Sequence, residues 1–417
     1  MKSCLLVGSV GHPNFGDEAI MRVWIDNYQQ VLHDRIIFCD GPGRNLKKCI
    51  DQSRVQNVHV ASELQSIYST VGYFDYTGSK VAIRDIDHYK KTIKLIAKNL
   101  REFETESIHL FGGGYLNSLW KHNYGLIISS LLVGLEAKIP VFASGLGVLP
   151  CDPKNHNLLK LLEYFIDLDV RDKESFNLLS SLCNSSAISF SGDDVLLAFC
   201  ADKNILVNEE DDPSIVICLQ NDLFEGYGFL DKILSDDCLS VYINKNIKNI
   251  KIISAMEDDV KIQDQATLDR IQSFGMTVTN IDHYALIEQG LPVNKHSFYI
   301  TSRYHFHLIA SLWGCKGIAV SNHHYYDVKH NSVNIMGSLW KVCNLDEATN
   351  IFLDSEKISY LIELSSSYNE TVRKFYMSKK IAFRDSLLQK IGGTIDDSFN
   401  MDFVVDLIKT IDAPSVL

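Results

Sequence analysis

The sequence predicts an α/β protein of two halves that face each other across a cleft. Three observations predict it. Short continuous apolar runs alternate with helical patterns through the first half of the chain. Glycine clusters follow several of those runs, where an open parallel sheet binds its ligands. After an acidic stretch holding Pro213, the pattern starts afresh at Ser214–Gln220. A length of 417 residues suits two domains. Their boundaries read as residues 1–202, a linker at 203–213, and residues 214–417, with C-terminal helices from about 354.

Taken in order, Ser3–Gly8 (SCLLVG) is an apolar run closing on glycine, as a first parallel strand should be. Ser9–Asn14 is a loop. Gly16-Asp17-Glu18 opens a helix with acids in its first turn, and Ile20, Val23, Trp24, Tyr28 and Val31 keep helical spacing. Arg35–Cys39 is the second strand, so the opening forms one βαβ unit. G-x-G-x-x-G is absent, and dinucleotide binding has no support. Residues 44–84 carry little pattern.

Asp85–Phe103 is a charged amphipathic helix, and Ser107–Phe111 a strand running into Gly112-Gly113-Gly114. Three glycines there admit a close backbone approach, to a ligand or within the chain. Tyr124–Lys138 is a helix and Val141–Ala143 a strand before the Ser144–Gly147 turn. Asn157–Asp167 is helical, Asp169–Asp172 a short strand or turn, Lys173–Leu182 a helix, and Ile188–Phe190 a strand meeting Gly192-Asp193-Asp194.

In the second half, strands are predicted at Ser214–Gln220, Ile250–Ser254, Thr277–Ile281, Phe298–Ile300 and Gly317–Val320. Helices are predicted at Phe229–Ile243, Gln263–Phe274 and Tyr284–Gln289. Thr301-Ser302 offers a hydroxyl to cap a helix that runs from Arg303 to Trp313 and stops at Gly314. Ser321–Lys329 reads as a polar loop, and residues 354–411 alternate helical patterns with short breaks.

The start of the Arg303 helix is the strongest local signal for a site. Backbone N–H groups and the positive helix end point at the space of Arg303 and His305, which suits a phosphate or carboxylate. Arginine grips an oxyanion with two prongs, and histidine carries a proton at neutral pH. His307 lies two residues further on, turned by roughly 200° on a helix, so it does not share that space.

Composition narrows the function. With 46% hydrophobic and 22% charged residues, the chain is an ordinary globular protein, and its net charge of -12 speaks against a general nucleic-acid binder. Ten cysteines show no C-x-x-C or metal-finger spacing, which suits free thiols in a reducing compartment. The opening MKSCLLVGSVG is too short and glycine-interrupted for a signal peptide, and Tyr124–Leu135 too short for a membrane span. The protein therefore reads as cytoplasmic. His323 and His324 with Asp327 do not complete a metal set.

Several motifs occur in a fixed order: Asn14-Phe15-Gly16-Asp17-Glu18-Ala19-Ile20, Gly112–Gly114, Ser144–Gly147, Val170-Arg171-Asp172-x-x-Ser175, Gly192-Asp193, Ser302-Arg303-x-His305 and Asp327-x-Lys329. Together, from about residue 5 to about residue 335, they resemble the polysaccharide pyruvyl transferase family. His12, Pro13 and Ser144 depart from the family's usual pattern.

The resemblance implies a GT-B-like pair of Rossmann-like domains, the first on the acceptor side and the second holding the donor. It implies transfer of the enolpyruvyl unit of phosphoenolpyruvate onto two hydroxyls of one sugar, giving a pyruvate ketal and phosphate. The acceptor would be a lipid-linked or nucleotide-linked sugar of a surface polysaccharide. Phosphoenolpyruvate is a co-substrate, and neither a cofactor nor a metal is implied. By motif match, Ser302, Arg303, His305 and Lys329 bind the donor. His305 also helps phosphate leave, Arg171 acts as anchor or acid, and Asp17 takes the hydroxyl proton. Asn14, Gly16, Asp17, Gly113 and Gly114 fall on the acceptor side.

Each residue has a structural reading beside this one. Asp17 stabilises a helix start, Asp172 with Ser175 makes an N-cap, Arg171 pairs with Asp169 or Asp172, and Lys329 is solvated. Two other functions share the scaffold: a GT-B-like glycosyltransferase using a nucleotide-sugar, and a non-catalytic protein of a polysaccharide locus. A lipid-linked acceptor would bring the enzyme to the inner membrane face. Peripheral membrane contact and a homo-oligomer stay open.

Overall fold

The computed structural model describes residues 2–12, 14–43, 45–52, 57–61, 64–75, 82–184, 188–200, 205–222, 224–364 and 368–393. The chain divides into two compact units, one of Met1–His12, Ile20–Leu197 and Ser378–Leu417, the other of Pro13–Ala19 and Ala198–Met377. Among the described residues no helix is long and apolar enough to cross a membrane.

In the first unit, the described residues form a seven-stranded parallel sheet. Its strands are β1 (Ser3–Val7), β2 (Ile36–Asp40), β3 (Val58–Val60), β4 (Thr105–Leu110), β5 (Val141–Leu146), β6 (Asp167–Val170) and β7 (Ile188–Phe190). They lie in the order β3-β2-β1-β4-β5-β6-β7, the doubly wound order with its reversal beside β1. All five residues of β1 are buried, as a central parallel strand requires. Helix Ile86–Glu102 is capped by Asp85, which accepts from His88 N at 2.9 Å. It buries Tyr89, Ile93, Ile96, Ala97 and Leu100, one helical stripe. Helix Tyr124–Ala137 is buried nearly all round, as its uniform apolar sequence predicts. The segment predicted as one helix at Asn157–Asp167 is a short helix, His156–Lys160, running into a 3₁₀ turn, Leu161–Tyr164.

The second unit holds a six-stranded parallel sheet of β8 (Ser214–Cys218), β9 (Asn249–Ile253), β10 (Thr277–Ile281), β11 (Phe298–Thr301), β12 (Lys316–Ser321) and β13 (Lys341–Asn344). The order β10-β9-β8-β11-β12-β13 repeats the doubly wound pattern, with the reversal beside β8. Both β8 and β11 are fully buried.

Several expectations are corrected. Phe229–Ile243 is two helices, Gly226–Ile233 and Asp236–Asn244, because Ser235 accepts from Cys238 N and starts a new one. The predicted polar loop Ser321–Lys329 is instead the end of β12 and a helix, His324–Ile335. That helix buries Tyr325, Tyr326, His330, Ser332 and Val333, a face whose polar members hide its period. In the stretch read as a linker, residues 205–213 are described. They include a short strand, Val207–Glu209, paired with Leu291–Val293; residues 203–204, like 394–417, lie outside the description.

Unit membership also departs from a single cut near residue 202. Pro13–Ala19 groups with the second unit, where Phe15 N donates to Ala255 O at 3.0 Å and the Phe15 ring packs on Phe306, centroids 5.2 Å apart. Ser378–Leu417 groups with the first, where Lys380 is fully buried between Asp169 (2.6 Å) and Asp194 (2.8 Å).

Candidate functional site

The site-bearing segment of the second unit begins at the carboxyl end of β11. Thr301 and Ser302 leave the strand and Arg303 takes an extended N-cap conformation (φ -97°, ψ 130°). Helix Tyr304–Trp313 follows, ended by the left-handed Gly314 at φ 105°. The hydroxyls do not cap the helix as predicted. Thr301 Oγ1 accepts from Arg303 N at 3.0 Å, while Ser302 Oγ accepts from Gln220 N at 2.9 Å. The N-cap side chain, an arginine, supplies no acceptor to the first turn.

Arg303 is not a fork waiting for an oxyanion. Its guanidinium is buried and its Nε donates to Asp259 Oδ1 at 3.0 Å, with Nη2 on the same carboxylate. Nη1 lies 3.5 Å from the Tyr326 hydroxyl, and the half-exposed Asp222 carboxylate stands 3.7 Å from Nη2. Burial opposes the charge, but Asp259, with Tyr326 and Asp222, outweighs it and holds the group above its ordinary range. Nη1, 3.5 Å from the Tyr326 hydroxyl, is the guanidinium nitrogen least committed to a carboxylate.

His305 is half-buried, one turn-start beyond Arg303. Its imidazole lies against the backbone of Gly16: a Cβ built on Gly16 would sit 1.9 Å from His305 Nδ1. Next to it, Asn14 takes the turn in hand, accepting from Gly16 N (3.2 Å) and donating to Asp17 Oδ2 (2.7 Å). Thus Asn14, Gly16 and Asp17 share a unit with Ser302, Arg303 and His305, although the sequence reading placed the two groups in different domains. Lys329, read as a loop residue, is on helix His324–Ile335 with its ammonium 3.8 Å from the Tyr325 ring centroid.

His307 does diverge from His305. It is fully buried, with Nδ1 3.1 Å from His330 Nδ1, Nε2 2.8 Å from Ser338 Oγ, and its ring stacked on Trp340. Burial pushes His330 down to about 4 and His307 well below its ordinary value, so both are neutral braces. His323 caps the helix after it through Nδ1, which accepts from Tyr325 N at 3.1 Å.

Arg171, Gly113 and Gly114 belong to the first unit. Arg171 is buried, 3.7 Å from Asp193 and 4.0 Å from Asp172, and Asp172 caps helix Lys173–Leu182 by accepting from Ser175 N at 2.7 Å. The glycine cluster serves the chain itself. Gly147 N donates to Gly113 O at 2.9 Å, Gly112 N donates to Asp194, and a Cβ on Gly145 (φ +54°) would meet that carboxylate at 2.6 Å. Asp194 also accepts from Trp24 Nε1 and Ser144 Oγ, and Lys380 closes the group.

Sequence reasoning missed Asp259, Asp222 and Lys380; it marked Tyr326, with Tyr325, as a candidate sugar-stacking surface but not as a neighbour of Arg303. Asp259 sits in the acid run Glu257-Asp258-Asp259, between the predicted strand Ile250–Ser254 and the predicted helix Gln263–Phe274, and no motif marks it. Lys380 sits in a helix crowded with cations.

A family model described as polysaccharide pyruvyl transferase matches residues 14–324. No curated protein matches the sequence. Among solved structures, the UDP-GlcNAc 2-epimerase of Methanocaldococcus jannaschii is similar over 93% of this chain and 99% of that one, at 12% identity and a TM-score of 0.54. The UDP-GlcNAc 2-epimerase of Neisseria meningitidis bound to UDP-GlcNAc aligns over 99% of each chain, at 11% identity and a TM-score of 0.49. At 12% identity the first likeness is one of fold, and the fold is GT-B-like.

Proposed function

The chain belongs to the polysaccharide pyruvyl transferase family, and from that premise we propose that it converts a sugar diol of a surface-polysaccharide precursor to its pyruvate ketal, with phosphoenolpyruvate as donor. The observation that carries the proposal is the packing of Gly16 under the His305 imidazole. It joins the Asn14–Asp17 turn to the Arg303 helix start, so that a cationic group, a helix N-terminus and a carboxylate belong to one unit.

In this reading the donor's anionic groups lie at the helix start, held by backbone N–H groups, by His305 and by Lys329. Arg303 contributes its outer edge and its charge. Protonation of the donor's methylene carbon makes the adjoining carbon electrophilic. One sugar hydroxyl attacks that carbon and gives up its proton, with Asp17 as the proposed acceptor, a release that offsets the proton taken up by the methylene carbon. The C–O bond to phosphate then breaks, His305 supplying a proton to the departing group. The second hydroxyl attacks the same carbon, loses its proton, and closes the ketal. Arg171, in the first unit, anchors rather than donates, because a guanidinium stays protonated. A lipid-linked or nucleotide-linked sugar is the acceptor class, met in the cytoplasm or at the inner membrane face.

Calorimetric titration of phosphoenolpyruvate into the full chain and into His305→Ala tests the donor. Binding in the first and a loss of at least tenfold in the second is the expected result. A chain that ignores phosphoenolpyruvate and binds a nucleotide-sugar would overturn the proposal.

A further inference from the structure

We infer that Asp259 is a positioning residue. Its single carboxylate fixes Arg303 and, through the turn at Ala255–Met256, also sets the Asn14–Asp17 segment against His305.

The side chain of Asp259 is fully buried. Oδ2 accepts from Ala255 N at 2.8 Å and Met256 N at 3.1 Å, while Oδ1 accepts from Arg303 Nε at 3.0 Å. Ala255 is therefore gripped at its N–H by Asp259, and its carbonyl in turn accepts from Phe15 N. Phe15 packs on Phe306, and Gly16 lies under His305. One carboxylate thus reaches His305 by two routes. One runs through Arg303 at the helix start, and the other through Ala255, Phe15 and Gly16. Burial, the largest influence, leaves the Asp259 carboxyl above its ordinary value against the opposing pull of Arg303 and the two N–H groups. A plain neutralising partner for a buried arginine would need only the charge. The two backbone N–H groups belong to Asp259's own turn, in which Asp259 N also donates to Met256 O at 3.2 Å, so the carboxylate ties that turn, and with it the Ala255 carbonyl that holds Phe15, to Arg303.

Lengthening the side chain separates the two roles. Asp259→Glu keeps the charge beside Arg303 but cannot hold the turn and the guanidinium at their present spacing. The readouts are calorimetric titration of phosphoenolpyruvate into the full chain and the His305 ring resonances by NMR. A positioning role predicts at least a tenfold loss of donor affinity and shifted His305 resonances, with far-ultraviolet circular dichroism unchanged. Wild-type affinity with unmoved His305 resonances overturns the inference. The calorimetric arm rests on the pyruvyl-transfer reading. If the wild type does not bind phosphoenolpyruvate, that reading fails and the resonances of the free protein alone decide Asp259. If Asp259→Glu does not fold, Asp259→Asn is the second variant, and the His305 resonances of the free protein read it: shifted resonances support the positioning role and unmoved ones overturn it.

Discussion

Gly16→Ala separates function from stability more sharply than any other single change in the second unit. The added Cβ would stand 1.9 Å from His305 Nδ1, whereas ordinary contact begins at 3.4 Å. The imidazole must therefore retreat by about 1.5 Å, the difference of those two distances. His305 is half-buried and sits at the end of a side chain, so it can swing away without disturbing the core. Gly16 lies in the first turn of helix Phe15–Val31, where alanine favours the helix by up to ~1 kcal/mol. Stability is thus expected to hold or rise. Donor binding is expected to fall, because a displaced imidazole loses a charged hydrogen bond of ~1.5–3 kcal/mol, roughly ten- to a hundredfold in affinity. Calorimetry with phosphoenolpyruvate and a thermal melt, on the same sample, read the two signs. Wild-type affinity in Gly16→Ala would refute the role given to His305.

Lys380→Met should leave Asp169 and Asp194 buried without their cation and destabilise the first unit by ~3–5 kcal/mol, seen as a lower urea midpoint and early proteolysis of that unit. The stability of the second unit should fall with acid. His330 titrates in the folded chain near 4 against 6.5 ordinarily, so its contribution is whole above 6.5 and lost as pH falls toward 4. Between pH 7 and pH 5 that loss is ~2 kcal/mol, and His330→Asn should flatten the slope of urea midpoint against pH. Lys329→Gln should weaken donor binding roughly tenfold while changing the melt little, since a partly exposed cation over an aromatic ring is worth only ~0.5–1 kcal/mol.

The sheets were legible because buried parallel strands are local signals. The fully buried Ser214–Cys218 falls inside the predicted Ser214–Gln220, and the fully buried Phe298–Thr301 starts where predicted; helix Lys173–Leu182 and the less buried edge strands Ile188–Phe190 and Thr277–Ile281 also keep the bounds the sequence suggests. Helix His324–Ile335 was not legible, since His330 and Ser332 are polar yet buried. Ser332 donates to Lys329 O within the helix itself, but the partner of His330, Ser302 O, is brought up only by the fold. The same holds for the ion pairs. Asp259 is 44 residues from Arg303, and Lys380 is 211 from Asp169. No spacing rule connects charges so far apart. The motif residues Gly16 and His305 were found as separate signals, and what the fold adds is their contact.

Arg303 illustrates why a motif residue need not do the task its chemistry suggests. A guanidinium with a free fork would hold a carboxylate or phosphate tightly, but also in many orientations. With Nε and Nη2 committed to a fully buried carboxylate, its remaining edge has one direction. The charge of Asp259 cancels much of the attraction, so the proposed function leaves the hold on the anion to the helix start, His305 and Lys329. That division suits a reaction in which charge moves. An anion held too firmly by an uncompensated arginine would be stabilised before the reaction as much as during it, and uniform binding does not raise turnover. Removing Asp259's charge should therefore do more than loosen Arg303. In an otherwise folded Asp259→Asn variant, the freed guanidinium would hold phosphate product more tightly, and inhibition by inorganic phosphate would deepen. Phosphate titrated into that variant and the wild type by calorimetry decides the matter, and equal affinity would mean that Arg303 does not face the anion.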